Sequence, residues 1–159
     1  MRHAKSDWST SQRDFDRPLS DRGHRNAQQM AEWLDGEDLA PTAILTSAAN
    51  RAKTTAAYVA EHFGLSDDAF EATEELYLAG GQTWIDAVAD RVDERLLICG
   101  HNPGLDMLVD HLSSGAAPAS PDGKLMTTAA IAVFEVEDFA TLSPHTCRFV
   151  VVQRPRELP

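Results

Sequence analysis

The sequence predicts an α/β fold, a three-layer αβα arrangement with a largely parallel central sheet flanked by helices, and three observations predict it. Short apolar runs alternate with stretches of helical periodicity through most of the chain, the pattern of strand–helix–strand units. The two clearest runs, Ala43-Ile44-Leu45-Thr46 and Leu96-Leu97-Ile98-Cys99, are apolar without alternation, as strands covered on both faces are. Arg51 follows the first run and His101 the second, beyond the carboxyl ends of strands, where open α/β sheets bind ligands.

Taken in order, the chain opens on Met1-Arg2-His3-Ala4-Lys5-Ser6. A polar stretch without apolar period, Asp7 to Arg17, is expected to be loop. Pro18-Leu19-Ser20 leads into a helix with Ser20 as its N-cap. Ala27, Met30, Ala31 and Leu34 make one helical face, and Gly36 stands where the helix should stop. Pro41 precedes the strand 43–46, and Ser47-Ala48-Ala49-Asn50 turns the chain. A second helix runs to about His62 with Ala52, Ala56, Val59, Ala60 and Phe63 inward, closed by Gly64. Residues 66–75 are acidic and mostly polar, and no element is assigned to them. Leu76-Tyr77-Leu78 is an apolar patch. A third helix is expected from about Thr83, with Trp84, Ile85, Val88 and Val92 inward. The strand 96–99 ends at Gly100-His101-Asn102-Pro103-Gly104, where Asn102 can cap and Pro103 suits the first helical position. Leu105, Leu108, Val109 and Leu112 then carry the helical period. Residues 113–127 are expected to be a flexible loop. Ala129–Val136 and Cys147–Gln153 are the last strand candidates.

The chain has 159 residues, enough for one domain with a full core and too few for two ordinary ones. One domain over 1–159 is therefore expected. The formal charge of −11 opposes nucleic acid and anionic lipid as partners. In that setting Trp8, Trp33 and Trp84 are expected to pack rather than to stack on bases. No apolar run is long enough to span a bilayer, and charged and polar residues follow Met1 at once, so a cytoplasmic protein is expected. Two cysteines imply no disulfide framework. Cys99 fails as a phosphatase nucleophile, because the arginine needed six residues later is Leu105. With no HExxH and no Cys/His cluster at ligand spacing, no metal is expected. His24, His62, His111 and His145 read as surface or structural.

The chemistry-bearing residues are those that suit phosphoryl groups. Arg2 offers a planar fork of donors to phosphate oxygens, and the adjacent His3 can attack phosphorus when neutral. Arg51 lies in the first turn of a helix that follows a strand, where outward amides and the helix dipole favour an anion. His101 stands just before another helix. Lys5 and Ser6 could border the entrance. Arg17 reads better as the partner of Asp14 or Asp16 than as part of the pocket.

Together, Arg2-His3-Ala4-Lys5-Ser6, Arg17-Pro18-Leu19-Ser20 with Gly23, Thr46-Ser47 with Arg51-Ala52 and Thr55-Ala56, and Gly100-His101-Asn102-Pro103-Gly104 resemble the histidine phosphatase superfamily. The chain is most similar to the SixA-like phosphohistidine phosphatases, and the resemblance spans nearly its whole length. It implies a phosphoglycerate mutase-like fold. It also implies catalysis by His3, Arg2, Arg51 and His101, with His3 carrying a transient phosphohistidine. Arg2, Arg51, His101 and Asn102 would then bind the substrate, with no metal or organic cofactor. His3 needs an acceptor for its second nitrogen, expected to be a backbone carbonyl, and His101 is expected to help most as a cation. The family has an apolar strand directly before the Arg-His pair. Met1 alone precedes it here, so either the sheet lacks a central strand or the natural start lies upstream.

The tryptophan-glutamate-glycine acid motif of the mutase branch is absent, since Ile85 and Asp86 follow Trp84. Glu74, Glu75 and Asp106 remain as candidate acids. A phosphohistidine ring can leave as neutral imidazole without a donated proton, whereas an alkoxide cannot. The expected substrate is therefore phosphohistidine on a partner protein. A small phosphoester, or a non-catalytic module that binds a phospho-ligand, are the alternatives.

Overall fold

The computed structural model of the chain describes residues 1–158. Its first helix, α1 (Asp21–Gly36), begins at Ser20, whose Oγ accepts the Gly23 N–H. It leads to β1 (Ala43–Ser47) and α2 (Asn50–Phe63), which ends at Gly64 in the left-handed conformation. Then come β2 (Phe70–Thr73), α3 (Gly81–Val88), β3 (Leu96–Cys99), α4 (Gly104–Leu112), β4 (Ile131–Val136) and β5 (Cys147–Gln153). Among the described residues no helix is long and apolar enough to cross a membrane.

The strands β2, β1 and β3 pair in parallel in that order, and β4 and β5 form an antiparallel pair. The first residues of the chain stitch the two groups together. Met1 N donates to Ile98 O at 2.7 Å, Gly100 N to Met1 O at 3.1 Å, and His3 N to Gly100 O at 3.0 Å. On the other side Arg2 N donates to Ala130 O at 2.9 Å, and Ala129 N to His3 O at 3.2 Å. The expected gap in the sheet is thus filled for three residues, and only at the end that carries Arg2 and His3. Behind Met1 a groove of about 530 Å³ remains between β3 and β4, lined by Leu97, Leu108, Ile131 and Phe134 among others. The lining is apolar and the groove lies behind the Arg-His pair, so it is a packing gap in the sheet rather than an anion site.

The three layers follow from residue alternation on β1. Ile44 packs with Ala27, Met30, Ala52, Ala56 and Val59 of α1 and α2, whereas Leu45 packs with Trp84, Leu105, Leu108 and Leu112 of α3 and α4. Both cores consist of buried apolar side chains with half-buried ones packed against them, the main stabilising term for a sheet covered on two faces.

Several expectations need correction. Residues 70–73 form a strand that the acidic, polar stretch concealed. It is an edge strand, half buried, and needs only Phe70 on the core. Helix α3 stops at Val88, and Val92 is 97% exposed rather than inward. Trp8 is 70% exposed rather than packed inside, with the Arg17 guanidinium 3.5 Å from its ring centroid. Asn102 does not cap α4. Pro103 occupies the N-cap position, and the Asn102 amide donates instead to Met126 O. Residues 113–127 contain no helix or strand, but Ala117 and Met126 are buried, and Arg154 donates to the carbonyls of Pro118 and Leu125.

Candidate active site

Arg2, His3, Arg51 and His101 come from separate parts of the sequence and converge at the carboxyl ends of the strands. The local reasons can be read off each segment. Arg2 bridges in parallel to Gly100, so the first residues and the end of β3 run side by side. That places His3 beside His101, with ring centroids 5.1 Å apart. Gly100 has to lack a side chain, because a Cβ there would lie 2.4 Å from Trp84 Cζ2. The indole thus supports the backbone that presents His101. Gly104 is equally constrained, since a Cβ would lie 1.9 Å from Ala79 O. This close approach brings the segment carrying Tyr77 against the start of α4.

The His3 ring is fixed in one orientation. Its Nδ1 lies 2.7 Å from Ala4 O, so Nδ1 carries the hydrogen and Nε2 keeps its lone pair. Ala4 is itself anchored, its N–H donating to Thr55 Oγ1 at 2.9 Å while that hydroxyl donates to Arg51 O at 2.7 Å. Thr55 therefore ties the histidine segment to the first turn of α2. The carbonyl acceptor expected from the sequence is present.

His101 Nε2 lies 2.8 Å from Ser47 Oγ, at the end of β1. When Ser47 donates, Nδ1 carries the ring hydrogen, and Nδ1 is buried with no partner among the described residues. Arg2 Nη1 donates to Met126 O at 2.8 Å, and its Nε is also buried without a partner. Arg51, 3% exposed, donates from Nη1 to Asp14 O at 2.6 Å and from Nη2 to Asp14 Oδ2 at 3.0 Å, and its Nε has no partner. Unpaired buried donors are costly. Three of them, on Arg2, Arg51 and His101, in one cluster are what an oxyanion would satisfy.

Asn102 does not join them as a free donor. Its amide and Arg2 share the Met126 carbonyl, so it braces Arg2. Asp106 accepts the Met126 N–H at 2.7 Å, which makes it part of the same brace. Glu74 and Glu75 are exposed on a short 3-10 turn. Ser6 is buried against Leu19, and Lys5 uses its carbonyl to receive Ser20 N–H and Oγ–H.

Two residues of the cluster escaped the sequence reading. Asp14 was expected at most to pair with Arg17, and it does. It also accepts from Arg51, and the Tyr77 hydroxyl donates to it at 2.5 Å. The Tyr77 ring stands edge-on to His101 at 5.6 Å. The only sequence signal was the i, i+3 spacing of Asp14 and Arg17. Tyr77 was hidden in an apolar patch.

Burial pushes His3 down from 6.5 to about 3, opposed by the Ala4 carbonyl and assisted by the charges of His101, Arg51 and Arg2. Burial and the Arg51 cation push His101 down to about 4, with Asp14 opposing. Both imidazoles are therefore neutral near pH 7. For His101 the surroundings favour the neutral ring, and an arriving anion would favour the cation expected from the sequence.

The linkage has a definite sign. Between the folded values and 6.5 the unfolded chain binds more protons, so stability rises with pH up to about 6.5 and these groups add no slope above it. Lowering the pH from 7 to 5 is expected to cost roughly 2 kcal/mol per histidine. Urea midpoints at the two pH values measure the loss, and inorganic phosphate should reduce it. Equal midpoints would contradict the burial of two neutral imidazoles.

Comparison with known proteins bears on the family and the fold. The model of the histidine phosphatase superfamily (branch 1) matches residues 1–79. An uncharacterized protein of Mycobacterium tuberculosis is 36% identical over 164 residues, covering 98% of this chain and 100% of the relative. A candidate phosphohistidine phosphatase SixA from Nakamurella multipartitia superposes with a TM-score of 0.82 at 26% identity, covering 98% of this chain and 93% of that one. The protein histidine phosphatase SixA complexed with tungstate gives 0.79 at 26% identity, covering 100% and 97%.

Proposed function

Because the chain belongs to the histidine phosphatase superfamily, with a phosphoglycerate mutase-like fold of the SixA-like branch, we propose that it removes the phosphoryl group from phosphohistidine on a partner protein. Membership makes it a phosphatase with a histidine nucleophile and sets aside the non-catalytic binding module. The substrate and the roles of individual residues are our reading.

In this reading His3 Nε2 attacks phosphorus in line, and the bond from phosphorus to the leaving nitrogen breaks. Arg2, Arg51 and the Nδ1–H of His101 hold the phosphoryl oxygens and balance the charge that develops on them. The Ala4 carbonyl keeps the Nδ1 hydrogen of His3 in place, so the phosphorylated ring is a cation steadied by an acceptor. Water then attacks phosphorus, the N–P electron pair returns to Nε2, and phosphate leaves. The proposed setting is the cytoplasm, which suits the two unpaired thiols of Cys99 and Cys147.

The observation that carries the substrate is the state of the carboxyl groups at the pocket. Asp14 is held below the ordinary carboxylate range, chiefly by the Tyr77 hydroxyl and also by Arg51 and Arg17, so it has no proton to give. Asp106 is occupied by the Met126 N–H. An alkoxide leaving group would need a proton, whereas a protonated phosphoimidazole leaves as neutral imidazole.

Phosphate release from a phosphohistidine-bearing protein and from an alkyl phosphomonoester tests the reading. Turnover of the protein should exceed that of the ester by on the order of 100-fold or more in kcat/KM, the contribution of a missing general acid. Comparable turnover, or turnover of the ester alone, would move the assignment to a small phosphoester.

A further inference from the structure

The Asp14 carboxylate is a paradox in a phosphate pocket. It is an anion among the groups that should receive an anion, and it is held there by built contacts. Arg17, Arg51 and the Tyr77 hydroxyl all donate to it, and Arg51 also grips its backbone carbonyl. Arg17 and Arg51 are themselves buried. The two guanidinium cations outweigh the carboxylate, so the cluster as a whole still accepts phosphate, but the carboxylate itself weakens that attraction and gains nothing for a neutral alcohol as leaving group.

The carboxylate also keeps spare capacity. A carboxylate offers about four acceptor sites. Oδ2 receives Arg51 and Tyr77, whereas Oδ1 receives only Arg17, and the side chain is 46% exposed. The fixed carboxylate therefore keeps an oxygen with spare acceptor capacity on a side chain that solvent reaches. It lies on the His101 side of the pocket. Tyr77 joins the two residues, with its hydroxyl on Asp14 and its ring against His101, and the charge of Asp14 acts on His101.

We infer that Asp14 is the residue that selects phosphohistidine, by accepting the N–H of the leaving imidazole on the ring nitrogen that does not carry phosphorus. This rests on the phosphohistidine reading above and adds the group that recognises the substrate. The balance is complete. The bound substrate ring is an imidazolium, phosphorylated on one nitrogen and protonated on the other. His3 Nε2 forms its bond to phosphorus, the old P–N bond breaks, and that electron pair stays on the leaving nitrogen. The departing ring is neutral and keeps its proton, and the positive charge appears on phosphorylated His3. Asp14 supports the protonated form of the substrate ring, the form that can leave without an external acid. A phosphate ester has no such N–H, so for it the same carboxylate is only a repulsive charge.

The test compares wild type with Asp14→Asn on free phosphohistidine and on an aryl phosphate. Free phosphohistidine is used so that no protein docking surface contributes. The expected result is a fall of tenfold or more in the ratio of kcat/KM for phosphohistidine to that for aryl phosphate. The alkaline limb of the phosphohistidine profile should also move to lower pH, because the substrate ring then loses its proton more easily. Tyr77→Phe is the second variant. It removes a donor and keeps the charge, so the ratio should stay near the wild-type value. Equal losses on both substrates in Asp14→Asn, or an unmoved pH limb, would reduce Asp14 to a brace for Arg51 and overturn the inference. A wild-type protein that cleaves the aryl phosphate but neither free phosphohistidine nor a phosphohistidine-bearing protein would overturn the functional reading itself, an outcome distinct from those two.

Discussion

Replacing His3 with alanine is expected to lower kcat/KM on a phosphohistidine protein by on the order of 10⁴-fold or more, as loss of a covalent nucleophile does. The substitution should leave the fold in place. The hydrogen bonds that fix residue 3 to Gly100 and Ala129 are made by its backbone, which alanine retains. What is lost is the ring bond to Ala4 O and a buried imidazole held neutral at some cost. The thermal midpoint should therefore stay within a few degrees of wild type while turnover disappears. Activity within tenfold of wild type in a folded variant would rule out His3 as the nucleophile.

The second large effect is expected at Arg51. Its alanine variant should lose on the order of 10³-fold in kcat/KM, the scale of removing a preorganised donor to a developing oxyanion. Two further consequences follow from its contacts. Arg51 holds Asp14 through both side chain and backbone, so the segment 7–17 should loosen, at a cost of about 1–3 kcal/mol. Its positive charge also depresses both histidines. Without it their values rise, and the acid limb of the pH profile moves to higher pH. Arg51→Lys should restore only part of the rate, because a point charge cannot hold Asp14 and a phosphoryl oxygen in the same geometry. Full activity in Arg51→Lys would contradict the two-sided role of the guanidinium.

How much of this was legible in the sequence depends on the range of the signal. Strands β1 and β3 announced themselves as short apolar runs, β1 buried along its whole length and β3 alternating between buried and half-buried residues. The helix starting at Ser20 was legible for a local reason, a hydroxyl three residues from the amide it caps. Strand β2 was not, because an edge strand needs little apolar surface and Glu71 points to solvent. The end of α3 was misjudged because Val92 continues the apolar period where the chain has already left the helix.

The site divides in the same way. Arg51 and His101 could be placed because each lies just beyond a legible strand. The family motifs brought in Arg2 and His3. Asp14 and Tyr77 could not be paired, since 63 residues separate them and nothing in either segment marks the other. Asn102 was misread as a cap because a cap is a local guess, whereas its partner, Met126, lies 24 residues away. The state of His101 could not be read for a similar reason. Its charge depends on Arg51 and on burial, both of which come from the fold.

The covalent step on His3 is the center of this account, and one measurement reaches it directly. The protein is mixed with a phosphohistidine substrate carrying radiolabelled phosphorus and quenched in alkaline detergent, which preserves phosphohistidine, and the label is located by peptide mapping. The expected result is transient label on the peptide that contains His3, at a level that decays with phosphate release and is absent from His3→Ala. Label on the His101 peptide, or turnover with no protein-bound phosphoryl group at any time, would contradict it.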